Sequence, residues 1–170
     1  MSLSRRAFVV LGIAAFTAAC SPIGPQPGVT TPPAALTQAR ILAAINGVRK
    51  ANGRKPLAYN SKLEAAARTQ ANLMATKDQL SHDLGKTLRE RVREQGYEGA
   101  VGENVAGGHK TLEQAIQGWL DSPGHRAALL SPNFEEFGLA VASVAPGVKS
   151  RYGIYWSFIA GGPFDPWIKK

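Results

Sequence analysis

The sequence predicts an α+β fold in which helices come first and the sheet is completed near the C-terminus. Two features predict this class. In the first two thirds of the chain, apolar residues recur at helical spacing behind capping signatures. In the last third, two segments rich in Val, Ile and aromatic residues flank a turn. The 170 residues are enough for one domain with one core once an export segment is removed.

The first two predicted helices follow each other closely. Residues 37–53 place apolar side chains at helical spacing, between a threonine that caps the start and a glycine that ends the pattern. Ser61 and Glu64 then form a capping box, which predicts a second helix that runs to about Thr76.

Two further helices carry the same type of start signal. Thr87 with Glu90 opens the third, and Thr111 with Gln114 opens the fourth. The fourth pattern stops before Pro123, because a proline disfavours helical geometry in the residue that precedes it.

The remaining elements come from residues 96–160. The glycine-rich residues 96–110 show neither the helix nor the strand period and predict an ordered loop. The segments "FGLAVASV" and "RYGIYWSFIA", joined by "APGVKS", predict an antiparallel hairpin. Apolar residues occupy both faces of the second segment, so we expect helices against both faces of the sheet.

Residues 1–19 predict an export signal. Arg5 and Arg6, followed by Phe8, match the twin-arginine pattern, and the apolar run after them is shorter than the roughly 20 residues that span a bilayer. Cys20 directly follows small residues, as in a bacterial lipoprotein cleavage box, and is the predicted lipidation site. Ordinary cleavage near Ala18 or Ala19, which would leave a soluble protein, is the alternative.

Composition separates a spacer from the domain and limits the partners. Residues 20–35 are rich in proline and predict a linker, so the domain covers residues 36–170. The formal net charge of +8 favours anionic lipid head groups or acidic wall polymers in the cell envelope, at the periplasm or cell surface. Nucleic acid is not expected, because the densest basic stretch, "KTLRERVREQ", alternates in sign as a solvated helix face does.

Three polar residues that end or interrupt predicted elements are the candidate site. His82 follows the second helix in "LSH", Glu103 lies in "GEN", and His125 follows the fourth helix in "SPGHR". Packing of these helices on one sheet could bring the three side chains into a common cleft, which their spacing alone does not show. A purely structural role, with the side chains holding loops by hydrogen bonds, is the alternative.

The ordered set "LSH", "GEN" and "SPGHR" resembles the CAP superfamily (SCP domain), which takes in cysteine-rich secretory and plant pathogenesis-related group 1 proteins. The resemblance spans residues 36–159. It implies an α-β-α sandwich with a cleft lined by two histidines and two acids, which hold a divalent metal in some members. His82, Glu103 and His125 match three of these positions, and Asp121 is the nearest choice for the second acid, with Glu113 as the alternative.

Two imidazoles and a carboxylate suit Zn²⁺ or another divalent metal with an open coordination position. The first hypothesis is nevertheless a lipid-anchored envelope binding module, held at the membrane through lipidated Cys20, whose cleft takes a metal or a small or lipidic ligand. The alternatives are a metal-dependent hydrolase of peptides or wall polymers, with His82, Glu103 and His125 as catalytic candidates, and a surface interaction module with a structural cleft. Whether the protein is an enzyme stays open.

Overall fold

The computed structural model describes residues 32–168. The predicted export signal with Arg5 and Arg6, the predicted lipidation site Cys20 and most of the predicted linker lie outside these residues, so these assignments stay predictions. Within the described part, no helix is both long and apolar enough to cross a membrane.

The described chain contains six helices and four strands, after a short 3-10 turn at Pro33–Ala35. The helices are α1 (Gln38–Ala51), α2 (Ser61–Lys77), α3 (Leu88–Glu94), α4 (Leu112–Asp121), α5 (Pro123–Leu129) and α6 (Asp165–Ile168). The strands are β1 (Ala58–Tyr59), β2 (Ala100–Gly107), β3 (Glu136–Ser143) and β4 (Ile154–Gly162).

The predicted helices are confirmed, and their starts show why the sequence forms them. The Thr37 side chain caps α1, and Thr111 caps α4. At α3, Thr87 and Glu90 form the predicted capping box in full. For α2 the cap is Asn60, whose side chain accepts from the backbone N–H groups of the first turn, so this helix begins at Ser61 rather than after it.

Pro123 both ends one helix and begins another, which the sequence analysis did not predict. It is the first residue of α5, where a proline is tolerated because its missing N–H would have no intrahelical partner. His125 therefore lies on a short helix and not in a turn.

The four strands form one sheet in the order β1-β3-β4-β2. The predicted hairpin is confirmed as β3 and β4, which pair antiparallel, while the two-residue β1 adds in parallel to β3. Strand β2 pairs antiparallel with β4, and within residues 32–168 its other side has no partner strand and is a free edge.

The prediction of a loop over residues 96–110 was wrong, because Ala100–Gly107 is strand β2. Glycines hide the strand pattern, and they stand where neighbours come close. A Cβ at Gly102 would lie 3.0 Å from the Phe134 ring, and one at Gly107 would lie 2.8 Å from the Tyr152 ring. The two polar residues between them, Glu103 and Asn104, also interrupt the apolar alternation that identifies strands.

Helices cover both faces of the sheet, which confirms the α+β class and the three-layer α-β-α arrangement. On one face α1, α4 and α5 enclose a core of Trp119, Trp156 and Phe158. On the other face α2 and α3 pack alanines and leucines against Ile159.

Buried Arg49 of α1 fixes the position of α5. Its guanidinium donates to Lys55 O at 2.9 Å, to Leu129 O at 2.7 Å and to Ser131 O at 3.1 Å. Burial, with a smaller contribution from nearby Arg54, lowers the pKa of Arg49 to about 10, so it stays charged at neutral pH. The end of α5, and with it the helix that carries His125, is thereby tied to α1.

Gly138 determines how closely α2 lies on the sheet. A Cβ at this position would overlap the backbone of Leu63 and Glu64, so helix α2 and strand β3 meet with no side chain between them. Only glycine fits at this position, because any Cβ would overlap the backbone of α2.

We predict that Gly138→Ala lowers the free energy of unfolding by roughly 1–3 kcal/mol or more, because overpacking forces α2 off the sheet. Gly47→Ala is the matched control, since Gly47 lies exposed inside α1 with nothing within 4 Å of a new Cβ. There the change should stabilise the protein by about 0.5–1 kcal/mol. Urea unfolding of both variants measures this, and equal stability of Gly138→Ala and the parent would contradict the packing described.

Candidate functional site

The candidate site lies at the free edge of the sheet, on strand β2. Glu103 and Asn104 are neighbours on this strand, so their side chains point to opposite faces. The Glu103 side chain meets α3 and the loop before it, whereas the Asn104 side chain meets α5. The edge strand thus joins groups from both helical layers at one place.

The Glu103 carboxylate is buried and fully engaged. Its Oε1 accepts from the Arg91 guanidinium at 2.5 Å and from Ser157 Oγ at 3.2 Å, and its Oε2 lies 3.0 Å from His82 Nδ1. The side chain of Glu103 is only 2 % exposed, and that of Arg91 is 0 % exposed. Arg91 and Glu103 therefore form an ion pair that water does not reach.

Arg91 also shapes the loop that carries His82. Arg91 Nη1 donates to His82 O at 3.0 Å and to Lys86 O at 2.8 Å, while Nη2 donates to Glu103 Oε1. The capping box at the start of α3 fixes the helix on which Arg91 lies. Loop and carboxylate are thus positioned by the same side chain.

His82 contacts Glu103 and is also exposed to solvent. Its side chain is 56 % exposed, although Nδ1 is bound to the buried carboxylate. The hydrogen bond to Glu103 raises the pKa of His82 above its ordinary value of 6.5, against the opposing effect of partial burial. His82 therefore carries positive charge over a wider pH range than a free histidine.

His125 approaches the same place from the other layer. Its carbonyl accepts from Asn104 Nδ2 at 2.8 Å, which ties α5 to the edge strand. The rings of His125 and His82 have centroids 6.4 Å apart. Partial burial lowers the pKa of His125 below 6.5, and the neighbouring His82 lowers it further.

The structure thus brings His82, Glu103 and His125 together. Asp121, the predicted second acid, lies at the exposed end of α4, where its Oδ1 accepts from Gln117 Nε2 at 2.7 Å. Arg126, next to His125, donates to Leu120 O and to Asn52 Oδ1. Both of these charged residues therefore have partners on the helices around them.

A divalent metal does not fit this arrangement as it stands. Across residues 32–168, no group of three or more His, Cys, Asp or Glu side chains has the geometry of a metal site. The reason is visible at Glu103, where the buried Arg91 guanidinium already supplies the positive charge and His82 Nδ1 occupies the other carboxylate oxygen. A cation bound there would be repelled by Arg91 at close range. Metal ligation stays a prediction, which this geometry disfavours.

Sequence reasoning missed Arg91 and Ser157. The prediction of a solvated helix face was wrong for Arg91, because its side chain is completely buried. The available signal was its place three residues after Leu88, which puts both on the inward side of α3. Ser157 had no signal, since it became relevant only once β2 was recognised as the neighbour of β4.

Comparison with known proteins gives a consistent result. The sequence model of the CAP family, described as the cysteine-rich secretory protein family, matches residues 42–159. The uncharacterized protein YkwD of Bacillus subtilis (strain 168) is 31% identical over 109 residues. That alignment covers 59% of this chain and 40% of YkwD, so the chain spans less than half of this relative.

Solved structures show the same fold. An extracellular protein with an SCP domain from Bacillus anthracis str. Ames has a TM-score of 0.62 and 25% identity, over 73% of this chain and 39% of that one. An outer surface protein of Borrelia burgdorferi has a TM-score of 0.63 and 22% identity, over 74% of this chain and 91% of that one.

We predict that the two cleft histidines titrate in a fixed order, His125 at lower pH than His82. The hydrogen bond between His82 and Glu103 also contributes to the free energy of unfolding. This contribution is fully present below pH 6.5, the ordinary pKa of histidine, and is lost as the pH rises through the raised pKa of His82. NMR of the imidazole ring nitrogens across pH 4–9 measures both pKa values. In His82→Gln the pKa of His125 should rise only in part, because its burial remains. Titration in the reverse order would contradict the described network.

Proposed function

The chain belongs to the cysteine-rich secretory protein (CAP) family, and from that premise we propose that it is an exported binding module of the cell envelope. Its cleft takes an anionic or polar group of a small or lipidic envelope ligand, between His82 and His125. Two solved relatives, one an extracellular protein and the other an outer surface protein, support export.

The observation that carries this proposal is the convergence of two partly exposed imidazoles, 6.4 Å apart, from opposite helical layers. The His82 imidazole is held by Glu103 and its backbone by Arg91, and the backbone of His125 is held by the hydrogen bond from Asn104 to its carbonyl. Groups held in this way lose little conformational freedom on binding, which favours affinity for a small group placed between them.

The charges of the cleft favour an anionic group. When His82 is protonated, Arg91 and His82 carry two positive charges against the single negative charge of Glu103, and the raised pKa of His82 favours this state. The whole chain has a formal net charge of +8, and removal of the predicted export signal with Arg5 and Arg6 would leave +6, which still attracts anionic partners at longer range. Phosphate or carboxylate groups of lipids and wall fragments have the matching charge.

The predicted lipid anchor at Cys20 and the proline-rich linker support the same role. Together they would hold the domain beside membrane and wall components, where even a weak ligand is met at high local concentration. For a binding module, being held close to its ligand in this way is sufficient.

A hydrolase is less well supported by the described geometry. The Arg91 guanidinium disfavours the metal that a metal-dependent hydrolase would need. Ser157 and His82 both bind Glu103, but Ser157 is completely buried and its hydroxyl is bonded to the carboxylate rather than to the imidazole. This is not the order of contacts that activates a serine nucleophile, in which the histidine lies between serine and acid.

We predict that short-chain phosphatidylglycerol below its micellar concentration, or soluble wall muropeptides, shift the ring resonances of both cleft histidines in NMR titrations. His82→Ala/His125→Ala should bind the active probe at least tenfold more weakly. His109→Ala is the matched control, because His109 packs against Gly118 of α4, away from this cleft. Thermal unfolding checks that all variants fold.

Two outcomes would overturn the proposal. Equal affinity of the parent and the double variant for every bound probe would favour the surface interaction module. Stoichiometric, micromolar Zn²⁺ binding in calorimetry, lost in both His82→Ala and His125→Ala, would favour the metal-dependent hydrolase instead.

A further inference from the structure

The main chain of strand β2 presents a row of hydrogen-bonding groups on its outer edge. Just past the strand, Gly108 N–H donates to Ile154 O at 2.9 Å, in register with the ladder between β2 and β4. In an antiparallel pair the N–H and C=O of one residue point to the same side, and the side alternates along the strand. The even-numbered residues of β2 therefore bond to β4, and the main-chain groups of Val101, Glu103 and Val105 point away from it.

Side chains close this edge at two places. Arg89 Nη1 donates at 2.9 Å to the carbonyl just before the strand, and Trp119 Nε1 donates at 3.2 Å to Val105 O. Between them lies the segment Val101–Glu103, which we call the open stretch of β2. Among residues 32–168, the outward N–H and C=O groups of its first and last residues have no hydrogen-bond partner.

The open stretch is accessible to a ligand through its main chain. Val101, Gly102 and Glu103 are partly exposed, whereas Val105 and Ala106 are buried. The side chain of Glu103 is only 2 % exposed, so the exposed part of this residue is its main chain. Accessible N–H and C=O groups on an edge strand can pair with a further strand.

The spacing of these groups favours an extended peptide as the ligand. Along a strand, the same pair of groups recurs on one side after two residues, which is about 7 Å. A peptide in extended conformation offers one N–H and one C=O at the same interval, and its addition to a sheet edge is a general mode of recognition. A phosphate group offers acceptors only, so it would leave the outward C=O groups without a donor.

His82 places positive charge beside the open stretch. Its Nδ1 lies 3.0 Å from Glu103 Oε2, and its side chain is 56 % exposed, so Nε2 is the ring nitrogen that remains for a ligand. The hydrogen bond to Glu103 raises the pKa of His82, which favours the imidazolium form. A carboxylate is the matching acceptor for an imidazolium N–H.

The acidic residues around the open stretch do not cancel this preference. The Glu103 carboxylate is paired with buried Arg91, and Glu98, two residues before the strand, is paired with an arginine of α3 at 3.9 Å. Glu135 and Glu136 lie where β3 begins, with β4 between them and β2. The guanidinium bound to the carbonyl before the strand adds a further positive charge. An acidic ligand is therefore favoured over a basic one.

We propose that the open stretch binds the C-terminal end of a peptide, which adds to β2 as a short further strand and places its terminal carboxylate at His82 Nε2. Because Arg89 and Trp119 close the edge on both sides, the stretch suits the end of a chain better than the middle of one. The inference rests on the proposed cleft function and names its ligand class, a peptide with a free carboxylate rather than a lipid.

Amide hydrogen exchange of the full chain, followed by NMR, tests this proposal. The probe is a pool of acetylated L-tetrapeptides of alanine, valine, threonine and serine with a free terminal carboxylate. Without peptide, the amides of Gly102 and Asn104 should exchange slowly, because they bond to β4, and those of Val101 and Glu103 should exchange fast. Saturating peptide should slow Val101 and Glu103 at least tenfold and leave the other two unchanged, which is the signature of an added strand.

A variant and a modified probe test the two halves of the proposal separately. Val101→Pro removes one outward N–H but no bond to β4, so it should bind the pool several-fold more weakly. Ser143→Pro is the matched control, because Ser143 N–H also points away from β4, on strand β3 and outside the open stretch. The same pool with amidated C-termini should bind at least tenfold more weakly, since it lacks the charge that His82 receives. Thermal unfolding checks that both variants fold.

Four results would overturn the proposal. These are fast exchange of Val101 and Glu103 in saturating peptide, slow exchange of both before peptide is added, protection that grows with protein concentration alone, and equal binding of the free and amidated pools.

The double variant His82→Ala/His125→Ala separates this proposal from the cleft function. It should keep the alternating protection at saturating peptide and lose the preference for the free carboxylate. Histidine shifts with lipid or muropeptide, without protection of Val101 and Glu103 by any peptide, would leave the cleft function in place and overturn the added strand. An unchanged preference for the carboxylate in the double variant would instead contradict the role of the histidines.

Discussion

The candidate site depends on the buried ion pair between Arg91 and Glu103. One guanidinium holds the carboxylate of the edge strand, the backbone of His82 and the backbone of Lys86, so helix, loop and strand are fixed relative to one another. Removing two charges from water costs about as much as their attraction returns, and such pairs often add little net stability. The main effect of this ion pair is on position, because it fixes the loop that carries His82 at the surface.

The edge strand β2 explains how one cleft draws on three layers. Alternation along the strand sends Glu103 toward α3 and Asn104 toward α5, and each meets the segment that carries a histidine. Within residues 32–168, no further strand pairs with the outer side of β2. Two partly exposed imidazoles suit recognition of a group on a larger envelope component better than chemistry that requires exclusion of water.

Local signals predicted the helices and the hairpin, since caps and apolar periodicity act within a few residues. Strand β2 escaped prediction because Gly102 and Gly107 stand where Phe134 and Tyr152 come close, a requirement of tertiary packing. Arg91 escaped because charged residues in an alternating run are usually solvated, whereas here Glu103 of a distant strand compensates the burial. His82, Glu103 and His125 were singled out by their places relative to the predicted elements and matched by the family resemblance, and their convergence follows from the β2 edge.

The measurement that tests this account most directly is a double-mutant cycle on Arg91→Met and Glu103→Gln, followed by urea unfolding. Each single change should cost roughly 3–5 kcal/mol, because it leaves a buried charge without its partner, and the double variant should cost much less than the sum. The same cycle on the exposed pair Lys86 and Glu94 should give a coupling below about 1 kcal/mol. Additive costs at Arg91 and Glu103, within about 0.5 kcal/mol, would contradict the central role of the buried pair.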